Sequence, residues 1–303
     1  MVALPLHERP TPIRGQLKAP APYFGGKQKL VQHLLPLVPR HEVYVELFGG
    51  MASLLFAKDP AELEVYNDLD SALVNFFRVL RHRGDCAELV RMLDLSPYSK
   101  EEYLDARLHW NDTDDPIEKA HRFYIAAYQA FSGHFGRSGW KLVTKGGEHN
   151  PAHSFRSAIE MFSLFSQRIR HVQIDHDTFA RIIRAYDAED VFFYADPPYV
   201  AETRKDGFYR HEMSMGQHAE LLHLLTTCKG KVILSGYDHP LYREALGDWQ
   251  LIQVATFAQS AGKTRKTGLK GTGAMKDQAR TECIWVKPNT IQPPTNYSLW
   301  GEA

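Results

Sequence analysis

The four residues Asp196-Pro197-Pro198-Tyr199 are the part of this chain best equipped for chemistry. An apolar run, Val191 to Ala195, precedes them and reads as a buried strand of a parallel sheet. Two successive prolines offer a sheet no N–H donors, so the chain must leave the sheet at Asp196. Open α/β sheets bind their ligands at that carboxyl edge. The tetrapeptide supplies a carboxylate, a stiff backbone with accepting carbonyls, and an aromatic ring. That combination suits gripping a planar ring by its NH₂ group while stacking on its face. An Asp-Pro after a strand is also an ordinary turn, so the rest of the chain has to decide.

The elements that must position this turn are legible as alternating strands and helices. Val43 to Phe48 reads as a strand entering Gly49-Gly50, with a helix from Ala52 to Lys58. Leu63 to Tyr66 is a second strand, ending at Asn67-Asp68, and Ser71 to His82 a helix. Strand–helix–strand–helix is the signature of a parallel sheet. From about 85 to 167 the pattern turns helical around a central loop rich in Gly, Ser and aromatics. Alternation then resumes with His171–Ile174 (strand), Phe179–Tyr186 (helix), the strand before Asp196, Gln217–Cys228 (helix), Lys231–Ser235 (strand) and His239–Leu246 (helix). Two late strands, Trp249–Phe257 and Thr281–Val286, flank a loop with many Gly and Lys. A helix from Gln28 to Leu35 precedes the first strand. The expected organisation is one α/β domain, residues 1–84 and 168–303, interrupted by a module at 85–167.

A glycine turn after the first strand lets backbone approach a ligand. Asp68 follows Gly50 by 18 positions, near the roughly 20-residue spacing at which dinucleotide folds hold a ribose hydroxyl with an acid. The pair points to a nucleoside-bearing cofactor, whereas a Gly-x-x-x-x-Gly-Lys-Ser/Thr phosphate cradle is missing. Asp177 and Phe179, after the third strand, are candidates for contacting an adenine; a helix cap at Asp177 is compatible with this.

Composition excludes several classes. Thirty-six Lys and Arg balance thirty-six Asp and Glu in 303 residues, so any nucleic-acid contact must come from a local patch. Cys86, Cys228 and Cys283 have no disulfide or metal-site spacing, and no metal is expected. No apolar run approaches membrane-spanning length and the Pro-rich start does not read as a signal peptide, so a cytoplasmic location is expected.

Tyr23-Phe24-Gly25-Gly26-Lys27, Val45-Glu46-Leu47-Phe48-Gly49-Gly50, Tyr66-Asn67-Asp68 and Asp196-Pro197-Pro198-Tyr199 occur in the order and approximate spacing of Dam-type DNA adenine methyltransferases. The chain resembles that family from about Ala19 to Lys287. The resemblance implies a Rossmann-like, class I methyltransferase sheet binding S-adenosylmethionine, with a mainly helical target-recognition domain inserted at 85–167. It implies that Tyr23, Lys27, Asp68 and Asp196 contact the cofactor and that Glu46, Phe48, Gly49 and Gly50 line its pocket, with Asp177 and Phe179 near its adenine. Asp196, Pro197, Pro198 and Tyr199 would then hold a target adenine rotated out of duplex DNA. The family usually carries a second glycine where this chain has Ala52, a change tolerated if φ there is negative. The segment Phe131 to Trp140 departs from the family's recognition hairpin, so the target sequence does not carry over.

Double-stranded DNA is the expected partner. The segment from Phe131 to Lys145 interleaves rings (Phe131, Phe135, Trp140) with Arg137, Lys141 and Lys145, as a loop entering a groove would. A second basic stretch includes Lys263, Arg265, Lys266 and Lys270 and is expected to bind phosphates. A cognate restriction endonuclease is a candidate partner, and a monomer or weak dimer the expected state. Two rival readings are methylation of the 4-amino group of cytosine, where Ser commonly replaces Asp196, and a non-catalytic DNA-binding protein on the same fold. Carbon-5 cytosine chemistry needs a nucleophilic cysteine, and none of the three stands in a Pro-Cys setting.

Overall fold

In a computed structural model the described residues are 17–23, 26–131, 139–142, 150–200, 210–257 and 279–291. Seven strands form one sheet: β1 (Val43–Glu46), β2 (Leu63–Asn67), β3 (Gln173–Asp175), β4 (Val191–Ala195), β5 (Lys231–Tyr237), β6 (Gln250–Phe257) and β7 (Ala279–Val286). Their order is β3-β2-β1-β4-β5-β7-β6. All neighbours are parallel except β7, which runs antiparallel to both β5 and β6. The order reverses between β1 and β4, which creates a crevice at their carboxyl ends.

Alternation along the strands sends side chains to two different cores. Tyr44, Tyr66, Phe192 and Tyr194 face one side, where they join a cluster with α2 (Ser53–Ala57) and α3 (Ser71–Arg81). Val45, Val65, Phe193 and Val232 face the other, against α9 (Phe179–Tyr186), α10 (Met215–Thr227) and α11 (Pro240–Ala245). The stretch between α3 and β3 folds as α4 (Arg83–Leu95), α5 (Lys100–His109), α6 (Pro116–Tyr128), α7 (Pro151–Glu160) and α8 (Phe162–Ile169). Phe123 and Tyr124 of α6, Phe155 of α7 and Phe162 of α8 are fully buried around Phe76 of α3, so these helices share one core with a face of the sheet.

A buried ionic group ties α8 to the sheet. Arg168 donates to both oxygens of Glu64 on β2 and to the Leu55 carbonyl, while the Lys58 ammonium sits 2.6 Å from Glu64 and 4.3 Å from the centre of the Tyr44 ring. Burial pushes the Glu64 carboxyl up, but Arg168 and Lys58 outweigh it and hold it below its ordinary value.

Some elements differ from their sequence outlines. The N-terminal helix shrinks to α1 (Val31–Leu34): residues 28–30 form a turn ahead of it, and a 3₁₀ turn at Leu35–Leu37 follows, where Pro36 brings no N–H to continue the α-helical ladder. The third strand starts at Gln173 rather than His171, since Val172 N–H still bonds to the Ile169 carbonyl at the close of α8. The condition set for Ala52, a negative φ, is not met. Ala52 is left-handed (φ 55°), as is Gly50 (φ 51°), because the chain reverses twice within the short turn from β1 into α2.

Candidate active site

The β1–α2 turn and the end of β2 build one wall of a cleft at the switch point. Gly49 N–H donates to the Asn67 carbonyl, and a side chain at Gly49 would drive its Cβ into the Tyr66 ring. The close approach at Gly49 is therefore made by Tyr66. Gly50 is different: its Cβ position faces open space, and its N–H donates to Asp68 Oδ2 (2.8 Å). Asp68 Oδ1 accepts from the Asp70 N–H. Burial pushes the Asp68 carboxyl up to about 6 despite those two N–H groups.

Asp70, buried at the start of α3, caps that helix through the Ala72 N–H and accepts from the Tyr23 hydroxyl (3.1 Å) and Arg210 Nη1 (2.8 Å). Arg210 in turn lies over the Trp110 ring, 4.6 Å from its centre. Asn67 fastens the rims of three strands, donating to the Leu47 and Asp177 carbonyls and accepting the Asp177 N–H. Phe179 faces the cleft with its ring centre 5.7 Å from that of Phe48. Asp177 is not among the residues lining the cleft; its carboxylate accepts from Thr178 N–H and pairs with Arg181. The cap of α9 is Thr178, one position later than expected.

Asp196 closes the cleft from β4. Its side chain is 15% exposed, Oδ2 lies 2.9 Å from Lys27 Nζ, and Oδ1 accepts from the Ser235 hydroxyl at 2.8 Å. Burial raises its carboxyl above the ordinary value, against the opposing pull of Lys27 and Ser235. Ser235 also meets the Tyr194 hydroxyl (3.1 Å). Tyr199 packs its ring 4.3 Å from that of Tyr237 and donates to Glu282 Oε2 (2.6 Å), and the Lys27 ammonium lies 4.5 Å from the centre of its ring. Pro198 lines the cleft.

Glu46 is the other buried carboxylate here, 2% exposed, with Oε2 lacking a hydrogen-bond partner. Burial pushes it up to about 8. The cleft holds about 940 Å³ of empty space, part of it open to solvent, and brings together Tyr23, Lys27, Glu46, Phe48, Gly49, Gly50, Asp68, Phe179 and Asp196 from five separate stretches of sequence.

A model of the D12 class N6 adenine-specific DNA methyltransferases matches residues 23–259, from the first cleft residue through β6. The chain belongs to this family. Its α/β sheet is the family's Rossmann-like fold, and family membership makes it a methyltransferase acting on adenine in DNA, not cytosine, with a methyl donor as cosubstrate. It is 26% identical over 263 residues to the type II methyltransferase M1.LlaDCHI of Lactococcus lactis subsp. cremoris, covering 81% of this chain and 90% of that protein. It is 28% identical over 187 residues to the DNA adenine methylase of Vibrio cholerae, covering 58% of this chain and 63% of that protein. The modification methylase StsI of Streptococcus sanguinis is 22% identical over 199 residues, which span 62% of this chain and 29% of StsI.

Of the DNA-facing candidates in this methyltransferase, Trp140 and Lys141 lie at an isolated antiparallel bridge. Trp140 bridges to Ala130, donates to Gln129 Oε1 and packs against Tyr98, whose hydroxyl donates to the Lys141 carbonyl. Phe135, Arg137, Lys145, Lys263, Arg265, Lys266 and Lys270 lie outside the described residues. Among the described residues, no helix is long and apolar enough to cross a membrane. Sequence reasoning missed Ser235, Asp70 and Arg210. A lone Ser at the end of the apolar run Val232-Ile233-Leu234 was a usable signal; for Arg210 there was none.

Proposed function

We propose that the chain moves a methyl group from S-adenosylmethionine to the 6-amino group of an adenine rotated out of duplex DNA. The residues present fit that donor. Glu46 Oε2 is buried and unpartnered, Gly50 leaves open space beside the turn, and Phe48 and Phe179 present ring faces. Asp68 uses only one lone pair on each oxygen for backbone N–H groups, which leaves acceptors for a ribose diol. When bound, the donor supplies a sulfonium-activated methyl group.

The observation that carries the reading is the position of the Lys27 ammonium, held by the Asp196 carboxylate and lying over the Tyr199 ring. An amine-type donor already sits where the grip inferred for Asp196 and Tyr199 would hold an adenine's NH₂. The entering base replaces Lys27 as donor to Asp196, with the Pro197 carbonyl as second acceptor and Tyr199 as the stacking face. The carboxylate then stabilises positive charge developing on the amine during an in-line displacement. Flipping exposes the reacting nitrogen, which is unreachable inside the duplex.

On this reading residues 85–167 form the recognition unit on a catalytic domain of 1–84 and 168–303. The segment around Trp140 and Lys141 and the basic stretch around Lys263 to Lys270 make the DNA contacts, and a cognate endonuclease is a natural partner. The test is Asp196→Ala, with folding followed by circular dichroism and methylation by transfer of labelled methyl groups to DNA. Removing a preorganised charge-stabilising group costs about 100- to 1,000-fold, so a folded variant with near wild-type turnover would refute the assignment.

A further inference from the structure

Glu282 stands on β7, beyond residues 23–259 that the family model matches. It lies directly opposite Tyr237 of β5, so the two side chains stand together on one face of the sheet. Both reach Tyr199. Tyr237 packs its ring 4.3 Å from that of Tyr199, tilted by 59°, and Glu282 Oε2 accepts the Tyr199 hydroxyl at 2.6 Å. That distance is typical of a charge-assisted bond from a hydroxyl to a carboxylate, which is roughly twice as strong as a neutral one. The prolines ahead of Tyr199 fix the course of the backbone but leave the ring to choose its own rotamer. A bond at the far end of the ring and a second ring at its side settle that choice. The same bond bears on charge. The Lys27 ammonium lies 4.5 Å from the centre of the Tyr199 ring, so this ring already receives a positive charge on its face. A carboxylate on the hydroxyl polarises the phenol and leaves the ring richer in electrons, which strengthens that attraction.

We propose that Glu282 is a positioning residue for the transfer step: through the Tyr199 hydroxyl it fixes the plane of the stacking ring and enriches its face, so that the ring steadies the adenine as positive charge develops on it. This rests on the reading of Tyr199 as the stacking face given above. Glu282 is not among the residues lining the cofactor-side cleft; it acts through Tyr199.

The test is a double-mutant cycle on the full-length protein with Tyr199→Phe and Glu282→Gln, reading kcat and KM for unmethylated DNA by transfer of labelled methyl groups. Glu282 also pushes the Asp196 carboxyl upward, so rates are compared on the alkaline plateau of each profile, where that push no longer bears on turnover. Glu282→Gln keeps an acceptor for the hydroxyl and removes its charge. A charged acceptor exceeds a neutral one by about tenfold in such a bond, so kcat is expected to fall about three- to tenfold with KM for DNA within about twofold of wild type. Tyr199→Phe is expected to lose a similar amount, and the double variant no more than the larger single loss. An unchanged kcat in Glu282→Gln, a loss confined to KM, or losses that multiply in the double variant would each overturn the proposal. If Glu282→Gln fails to fold, Tyr199→Phe decides alone, because it leaves Glu282 in place: turnover at the wild-type value overturns the proposal. Tyr199→Ala separates this idea from the functional reading. A folded Tyr199→Ala with wild-type turnover refutes the stacking role itself, whereas a defective one beside an unaffected Glu282→Gln refutes only the part played by Glu282.

Discussion

Replacing Ser235 by Ala removes the 2.8 Å hydrogen bond to Asp196 Oδ1 and leaves Lys27 on the other oxygen. A hydrogen bond to a charged group contributes about 1.5–3 kcal/mol, and one pH unit corresponds to about 1.4 kcal/mol. Burial already raises the Asp196 carboxyl, and both Ser235 and Lys27 hold it down. Losing Ser235 therefore shifts it further upward. The carboxylate is the form that accepts the amine's hydrogens, so activity falls as pH drops through its folded value. The acid limb of the kcat profile is expected to move to higher pH, with recovery toward wild-type turnover at alkaline pH. Ser235→Thr, which restores a hydroxyl, is expected to bring the limb back. The assay is single-turnover methylation of a DNA substrate from pH 5.5 to 9, with cofactor affinity measured alongside. A uniform drop at every pH, with the limb unmoved, would mean that Ser235 merely packs the sheet and does not tune Asp196.

Two further predictions concern the frame. Ala52→Gly relieves about 1–2 kcal/mol of left-handed backbone cost but loses a buried methyl of similar value, so its stability in urea melts is expected within about 1 kcal/mol of wild type; Ala52→Val, stiff and β-branched at φ 55°, is expected to lose more than about 3 kcal/mol. Arg168→Met strips Glu64 of its guanidinium partner and frees the Leu55 carbonyl, while Lys58 still pairs with Glu64; the expected loss is about 1–3 kcal/mol in the same melts.

Sequence alone located the strand ends that line the cleft because those ends are punctuated by residues with few conformational options. The paired prolines stop β4 at Ala195, and α9 runs over the expected Phe179–Tyr186 because Thr178 and the apolar spacing leave little choice. What was hidden depends on contacts between residues far apart in the chain. Asp70 looks like a helix cap, and it is one, yet Arg210 reaches it across 140 positions while stacking on Trp110. No local pattern encodes that meeting. The helices between α3 and β3 were visible as helices, but their shared core with α3 follows from Phe76 packing against Phe123, Tyr124 and Phe162, and pairings of rings carry no sequence spacing.

Ala52 shows how a local rule can fail informatively. A helix-forming residue after Gly-Gly-Met suggests an ordinary helix start, and the turn nonetheless holds it left-handed. The reason lies in what the turn must deliver: Gly49 pressed on Tyr66, and Gly50 N–H aimed at Asp68. With both glycines fixed by those demands, the remaining reversal into α2 falls on residue 52, and Met51 and Ala52 are buried enough to hold it there. Local propensity loses where surrounding packing over-determines the backbone, and such places concentrate at ligand sites. The strain at Ala52 is thus a consequence of building this wall of the cleft, directly after the strand that ends in Glu46.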